Sequence, residues 1–194
     1  MSEKDDSLRM ALHADTAASA APLIREVAAR ELECELLPSF VELLRDTVDG
    51  GALLGFLPPL AHDLARDYWL SLRPDLQAGT RVLLAAFDGG RVVGTGQLVC
   101  AALPATRHRA ELQKICVASD RRGCGIGALL LTALHALARQ RGRSLLLLNT
   151  RCGSPAQRLY QRFGYGEAGI VRGYMRGPDG RPYDSVMMVR ESAG

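Results

Sequence analysis

The chain has 194 residues, a length that fits one compact domain able to fold without disulfides or a structural metal. Hydrophobic residues make up 47% and charged residues 23%, which is typical of a soluble globular protein rather than a disordered one. The net charge of +3 arises from interspersed acids and bases, so there is no basic stripe of the kind that binds nucleic acid.

The cysteines, the histidines and the start of the chain bear on its cellular context. Five cysteines with no CxxC pair favour a reduced cytoplasm over a disulfide framework. The histidines show no metal-ligand spacing, so no metal is expected. No apolar run approaches the roughly 18 to 20 residues that cross a bilayer, so no membrane partner is expected. Residues 1–20 lack the apolar block of a secretory signal and are expected to form a flexible tail before one domain over 21–194.

The first half of the chain predicts helices and a β-hairpin. Asp88-Gly89-Gly90 separates two apolar stretches, and Asp-Gly supplies the positive φ that a tight hairpin turn needs. Pro38 interrupts the first helical segment, so two helical pieces are expected there. In chain order the predicted elements are a short strand at 22–27, helical pieces over 32–48, a loop at 51–56, a helix over about 60–76, and strands at 81–87 and 91–100.

The second half predicts alternating strands and helices. Ile126, Leu130 and Leu134 recur at a spacing of four residues, which indicates an amphipathic helix. Four leucines at 145–148 form a short apolar strand suited to burial. The remaining elements are a strand at 111–117, a helix at 155–163, and strands at 166–174 and 185–190 around a turn at 178–180.

A glycine-rich segment, Arg122-Gly123-Cys124-Gly125-Ile126-Gly127, lies between a predicted strand and a predicted helix. Such a turn presents unpaired backbone N–H groups at the positive end of a helix dipole, so it suits a pyrophosphate. A nucleotide-hydrolysing P-loop does not fit, because no Gly-Lys-Ser/Thr follows the glycines. A dinucleotide fingerprint fits formally through Gly123, Gly125 and Ala128, but Asn149 and Thr150 stand where its acidic ribose ligand should be.

Two linked motifs resemble those of the GNAT acetyltransferases. The family signature Gln/Arg-x-x-Gly-x-Gly/Ala is met by Arg122, Gly125 and Gly127. About 30 residues later, residues 156–165 resemble the family's short helix, which carries a tyrosine and ends in Gly-Phe or Gly-Tyr. The resemblance implies the GNAT acyl-CoA N-acyltransferase fold, an α/β (α+β) class with a mixed central sheet of about six to seven strands flanked by helices. It also implies acetyl-CoA as cosubstrate.

More narrowly, the chain resembles the tabtoxin-resistance acetyltransferases over roughly residues 23–190. This likeness implies a small amine acceptor, such as an amino-acid-like antimetabolite that acetylation would detoxify. The matching segments are Thr47-Val-Asp-Gly-Gly51, Arg109-Ala-Glu-Leu-Gln-Lys114, Gly153-Ser154, and Gly173-Tyr174 followed by Pro178-Asp-Gly180.

The resemblance implies a cosubstrate site around the glycine loop. Backbone N–H groups from Cys124 to Ala128 would hold the pyrophosphate, and Arg122 would add positive charge. The strand before the loop would pair with pantetheine, which brings Cys116 and Val117 beside it. The full predicted set is Cys116, Val117, Arg122, Gly123, Cys124, Gly125, Ile126, Gly127, Ala128, Asn149 and Ser154.

Two residues carry the predicted chemistry, each with a structural alternative. Tyr160 is the candidate proton donor to the leaving thiolate, because a phenol within reach can protonate it; alternatively Tyr160 packs its helix on the sheet. Glu111 is the candidate acceptor of the amine's proton; alternatively it is a surface charge paired with Lys114 or Arg109. The tabtoxin-resistance enzymes carry an acid where this chain has Asn149, so either the base or the substrate differs.

Several functions stay open at this point. The first is acetylation of a small amine, with the loop that ends at Phe56, together with Tyr68 and Trp69, either lining the amine pocket or packing the core. The alternatives are acetylation of a protein N-terminus or lysine, a non-catalytic acetyl-CoA sensor suggested by Asn149, and a nicotinamide enzyme. No nucleic-acid partner is expected, and a homodimer is compatible with the resemblance.

Overall fold

The computed structural model describes residues 21–191, so the tail expected at 1–20 lies outside the described residues. Seven strands form one sheet in the order β1-β2-β3-β4-β5-β7-β6. Neighbouring strands are antiparallel except β4 and β5, which are parallel. The α/β class with a mixed sheet of six to seven strands is confirmed. The strands are β1 (Leu23–Glu26), β2 (Arg81–Asp88), β3 (Arg91–Cys100), β4 (Arg109–Val117), β5 (Leu145–Arg151), β6 (Gly166–Arg176) and β7 (Pro182–Glu191).

Helix α1 is continuous where the sequence predicted two pieces. It begins at Ala29–Glu31, passes through a π-helical turn at Leu32–Leu36 and continues as Leu37–Asp49. Pro38 has no N–H to donate to the carbonyl four residues earlier, and the widened turn accommodates its ring without ending the helix. The predicted helix over about 60–76 is instead two helices that meet at Leu72. The remaining helices are α2 (His62–Ser71), α3 (Arg73–Gln77), α4 (Ile126–Gln140) and α5 (Pro155–Arg162).

The predicted hairpin is confirmed in its strands and in its turn. Asp88 pairs with Arg91, which leaves Gly89 and Gly90 as the two loop residues. Their φ angles are 56° and 87°, the double positive φ that a type I′ turn requires. The glycines therefore set the register of β2 against β3.

Helices cover both faces of the sheet. Helix α4 packs so closely on β3 that a Cβ at Gly96 would lie 2.9 Å from the Leu134 side chain. Helices α1 and α2 meet through Phe40 and Trp69, both fully buried, with ring centroids 4.8 Å apart and the indole N–H donating to the Phe40 carbonyl at 2.9 Å. No helix within residues 21–191 is long and apolar enough to cross a membrane.

The sheet opens between its two parallel strands. Strand β4 pairs with β5 only from Arg109 to Glu111, although β4 runs on to Val117 and β5 to Arg151. A bulge lies just past the last pair, where Lys114 adopts φ 49°. Because a bulge bends its strand, β4 leaves β5 at this point, and the backbone of its last residues has no strand partner on that side. This opening is called the strand split below.

Candidate active site

The glycine loop follows the strand split directly. Gly123 and Gly125 have φ angles of 81° and 79°, and Gly125 is the N-cap of α4. The Ala128 N–H donates to the Gly125 carbonyl at 3.0 Å, which removes it from the predicted set of free donors. Among the described residues, the N–H groups from Cys124 to Gly127 meet no acceptor. Four free donors at a helix N-terminus suit a pyrophosphate.

The segment before the glycines is held in place by charged side chains. The Ser119 backbone N–H and hydroxyl both donate to the Asp46 carboxylate of α1, at 2.7 and 2.6 Å. Arg121 forms an ion pair with Asp88 of the hairpin at 2.7 Å. These contacts tie the loop to two other elements, so its free N–H groups are positioned before any ligand arrives.

Arg122, predicted to add charge, lies beside the end of β4. Its Nε donates to the Val117 carbonyl at 3.4 Å, and a Cβ at Gly50 would lie 3.4 Å from its terminal nitrogen. The exposed guanidinium therefore stands between the strand split and the C-terminus of α1. Its contact with a phosphate stays a prediction.

Cys116 and Val117 occupy the unpaired end of β4, as the predicted pantetheine contact requires. Cys116 is buried beside Thr47 of α1, and burial raises the pKa of its thiol to about 11. Val117 faces the other way, toward α4, where a Cβ at Gly127 would lie 4.0 Å from its side chain. The thiol stays protonated at neutral pH, which fits packing rather than nucleophilic attack.

Asn149 and Ser154 stay predicted contacts of the cosubstrate, and each has a defined place in the structure. Asn149 is exposed and lies within β5, paired with Met187, rather than at the strand end or the sheet edge. The Ser154 hydroxyl accepts the Gln157 N–H at 3.1 Å and lies 3.2 Å from the Thr150 hydroxyl. Ser154 is thus the N-cap of α5, and its predicted role in binding acetyl-CoA stays a prediction.

Tyr160 lies on α5 with only 6% of its surface exposed. Its hydroxyl makes no hydrogen bond to the rest of residues 21–191, and its ring packs 5.9 Å from that of Tyr165. Burial raises the pKa of Tyr160 above its usual range, and the neighbouring Cys116 acts in the same direction. The hydroxyl therefore keeps its proton at neutral pH and has no partner within residues 21–191, which is compatible with a proton donor, and the role of Tyr160 stays a prediction.

The Tyr160 ring is positioned by a second aromatic layer. The His135 Nε2 of α4 lies 2.9 Å from the Tyr165 hydroxyl. Burial, followed by the charge of Arg190, lowers the pKa of His135 to about 4, so the imidazole is neutral at pH 7. This neutral pair fixes Tyr165, and Tyr165 in turn supports one face of Tyr160.

Glu111 stands at the last residue pair before the strand split. It is half-buried, opposite Val99 of β3 and Leu147 of β5. It lies two residues from Gln113, which faces the helices α1 and α2. Strand alternation puts Glu111 on the same face. The structure thus brings Glu111 to the base of the split, and its role as proton acceptor stays a prediction.

A polar cluster beneath α2 was missed by the sequence analysis. Gln97 is fully buried; its amide donates to the Tyr68 hydroxyl at 2.9 Å and its carbonyl accepts from Arg81 at 2.5 Å. Arg81 also donates to Gln113 at 3.1 Å. The signal was present in β4, where Gln113 and Lys114 are consecutive polar residues that break the alternation of a half-buried strand and indicate a bulge.

The comparisons with known proteins agree with this geometry. Residues 78–167 match the acetyltransferase (GNAT) domain family. Over 79 residues the chain is 33% identical to the [ribosomal protein bS18]-alanine N-acetyltransferase of Haemophilus influenzae, a stretch that covers 41% of this chain and 54% of that protein. The chain thus matches about half the length of this curated relative.

Solved structures extend the likeness to nearly the whole chain. A ribosomal-protein-alanine N-acetyltransferase from Brucella melitensis superposes with a TM-score of 0.69 at 28% identity, covering 88% of this chain and 99% of that one. A putative acetyltransferase, yncA, from Salmonella typhimurium was solved with its cofactor acetyl-CoA; its TM-score is 0.70 at 18% identity, with coverage of 89% and 95%.

The split sheet and the glycine loop agree with the match of residues 78–167 to the acetyltransferase (GNAT) domain family and with the fold of the solved acetyltransferases. By this match, residues 78–167 carry a GNAT acetyltransferase domain. The narrower likeness to the tabtoxin-resistance enzymes stays a prediction. No cluster of three or more metal-ligating side chains occurs among the described residues.

Proposed function

We propose that the chain transfers the acetyl group of acetyl-CoA directly to the primary amine of a small molecule, with both substrates bound together. The observation that carries the proposal is Tyr160, a buried phenol without a hydrogen-bond partner among the described residues, beside Cys116 at the unpaired end of β4. That is where the acyl thioester of a GNAT enzyme would lie if its pantetheine paired with this strand edge.

The glycine loop fits acetyl-CoA, whose thioester supplies the activated acetyl group. The N–H groups from Cys124 to Gly127 would hold the pyrophosphate, and Arg122 would add a positive charge beside it. A Cβ at Gly123 or Gly125 would meet no described atom within 4 Å, so open space lies above these donors. The backbone of Cys116 and Val117 would pair with the pantetheine arm.

Tyr160 would supply the proton that the departing sulfur needs. Its raised pKa keeps the phenol protonated at pH 7, and a thiol with a reference pKa near 8.5 leaves more readily when it is protonated. Packing against the Tyr165 ring, with centroids 5.9 Å apart, would hold the hydroxyl in place near Cys116.

Glu111 would accept the proton of the incoming amine, directly or through water. We expect Glu111→Gln to lower kcat/KM about 100-fold at pH 7, because an amine with a pKa near 10 is mostly protonated there. The loss should shrink as the pH approaches the pKa of the amine, which a pH profile of both proteins would measure. Glu42→Gln, an exposed carboxylate on α1, is the matched control and should leave the profile unchanged. Equal losses at every pH would contradict the role.

A second candidate, acetylation of a protein N-terminus, is favoured by the names of two similar proteins, which act on ribosomal-protein alanine. It would need an open groove beside the strand split. The small-amine proposal is supported by the loop after α1, whose Leu54 and Phe56 are held against β4 by Lys114 and leave this side covered.

The test combines binding and turnover. Calorimetric titration with acetyl-CoA, CoA and NADH should give saturable binding of the first two and none of the third. Free-thiol release should then be measured on a panel of small amines and on peptides that begin with alanine. Turnover on small amines supports the proposal; turnover on the peptides alone replaces it with the second candidate, and tight acetyl-CoA binding without turnover indicates a sensor.

A further inference from the structure

Lys114 has a backbone conformation that side-chain-bearing residues rarely adopt. Its φ of 49° makes it the one non-glycine residue with positive φ in the described part of the chain. Gln113 pairs with Gln97 and Cys116 with Thr95, so Lys114 and Ile115 together face a single residue of β3. Strain of this kind persists where the surrounding structure holds it, and it concentrates at functional sites.

The bulge directs the lysine toward the loop after α1. Its Nζ donates to the Leu54 carbonyl at 2.5 Å and stands 5.5 Å and 5.4 Å from the ring centroids of Phe56 and Tyr68. An ammonium has three N–H donors, and the carbonyl takes one of them. No carboxylate among the described residues lies within ion-pair distance of Lys114.

The charge of Lys114 is therefore only partly compensated. Burial lowers the pKa of the ammonium, while Cys116 and Glu111 act in the opposite direction and Arg81 adds to the lowering. The other cation nearby, Arg81, already has Asp75 as a partner at 3.3 Å and two glutamine carbonyls. Lys114 thus keeps donors to spare beside the loop after α1, whereas Arg122 lies at the end of β4 beside the C-terminus of α1.

Lysine is rare in this chain. Of the 24 lysine and arginine residues, only Lys4 and Lys114 are lysines. A lysine presents a compact point charge on a flexible stem, whereas arginine presents a rigid planar fork. A chain that uses arginine almost everywhere has the compact cation at the bulge. If Lys114 served only to hold the loop, one hydrogen bond to the Leu54 carbonyl would be enough, and an uncharged donor could make it without the cost of burying a charge.

We propose that Lys114 binds a carboxylate of the acceptor, which makes the acceptor an amino acid or a related compound that carries both an amine and a carboxylate. This inference rests on the proposed function. Glu111 and Lys114 are three residues apart on β4, so their Cα atoms are separated by about 10 Å. Side chains that converge from this distance can contact the two ends of one small amino acid.

Turnover gives the first test. Initial rates with the twenty L-amino acids and their carboxamides are compared for the wild type and for Lys114→Met, which keeps the length of the side chain and removes its charge. We expect Lys114→Met to lower kcat/KM for the acids about 10- to 100-fold more than for the amides, mainly through KM, because both kinds of acceptor share the loss of the hydrogen bond to the Leu54 carbonyl. The test compares the effect of the substitution on the acids with its effect on the amides. This ratio is needed because amidation also lowers the pKa of the neighbouring amine, which changes the rate in both proteins.

Lysine labelling gives a second readout that needs no turnover. Reductive methylation, followed by mass spectrometry, reports the exposure of Lys114, with Lys4 as the internal reference. In the presence of acetyl-CoA, acids should protect Lys114 and the matched amides should not. Equal protection by both, or an acid preference that survives in Lys114→Met, overturns the inference. Acid-specific protection without acetylation would sustain it while the proposed function fails.

Discussion

Replacing Tyr160 by phenylalanine is expected to lower kcat about 100- to 10,000-fold while leaving the affinity for acetyl-CoA nearly unchanged. The phenylalanine ring fills the same buried space, so the packing of α5 on the sheet is kept. Only the hydroxyl is lost. It makes no hydrogen bond to the rest of residues 21–191, so its removal leaves no other polar group without a partner. Stopped-flow or steady-state thiol release, together with calorimetric acetyl-CoA titration, would separate the two quantities.

The matched control for this change is Tyr165→Phe. Tyr165 belongs to the same aromatic layer, but its hydroxyl is bound to His135 at 2.9 Å and is not the group next to Cys116. It should lose less than about 10-fold in kcat, through a small shift of the Tyr160 ring. If the two variants lose activity equally, Tyr160 acts by packing and not as a proton donor.

The sequence predicted the elements whose signals are local. The Asp88-Gly89-Gly90 turn carries its own backbone preference, and the α4 periodicity is carried by residues four apart, so both were found. The strand split could not be predicted, because it depends on where β4 stops pairing with β5, and that pairing joins residues more than 30 positions apart. The π-helical turn before Pro38 likewise could not be predicted, because only the packed helix shows how the proline is accommodated.

The candidate site shows the same division. The glycine loop was predicted correctly as a strand-to-helix turn with free N–H groups, except that the Ala128 N–H is used within the helix. Ser154 was predicted to contact acetyl-CoA, yet a serine before a proline-led helix is also a cap signal, and its hydroxyl caps α5. Lys114 was interpreted only as a partner for Glu111, because the consecutive polar residues Gln113 and Lys114 were not used as a bulge signal, and the face of a strand residue reverses at the bulge.

Introducing a carboxylate at Gly125 is expected to weaken acetyl-CoA binding about 100-fold while the protein stays folded, with the strain of a side chain at φ 79° shared by the asparagine variant. Aspartate tolerates the left-handed conformation that Gly125 adopts at φ 79°, and a negative charge at a helix N-terminus is favourable in itself. A pyrophosphate bound at the same donors would meet that charge at close range, where two unit charges about 6 Å apart repel by about 2.8 kcal/mol at an effective dielectric constant of about 20, which is about 100-fold in affinity.

The matched control, Gly125→Asn, separates charge from size. Asparagine has the same shape as aspartate and the same tolerance for positive φ, and a Cβ at this position meets no described atom within 4 Å. Asn should therefore cost less than about 10-fold in acetyl-CoA affinity, and the gap between the two variants should narrow as salt is raised. Thermal melts would show both proteins folded. If calorimetry gives Asp and Asn the same affinity, no anion binds at this helix N-terminus, and the pyrophosphate must lie elsewhere on the chain.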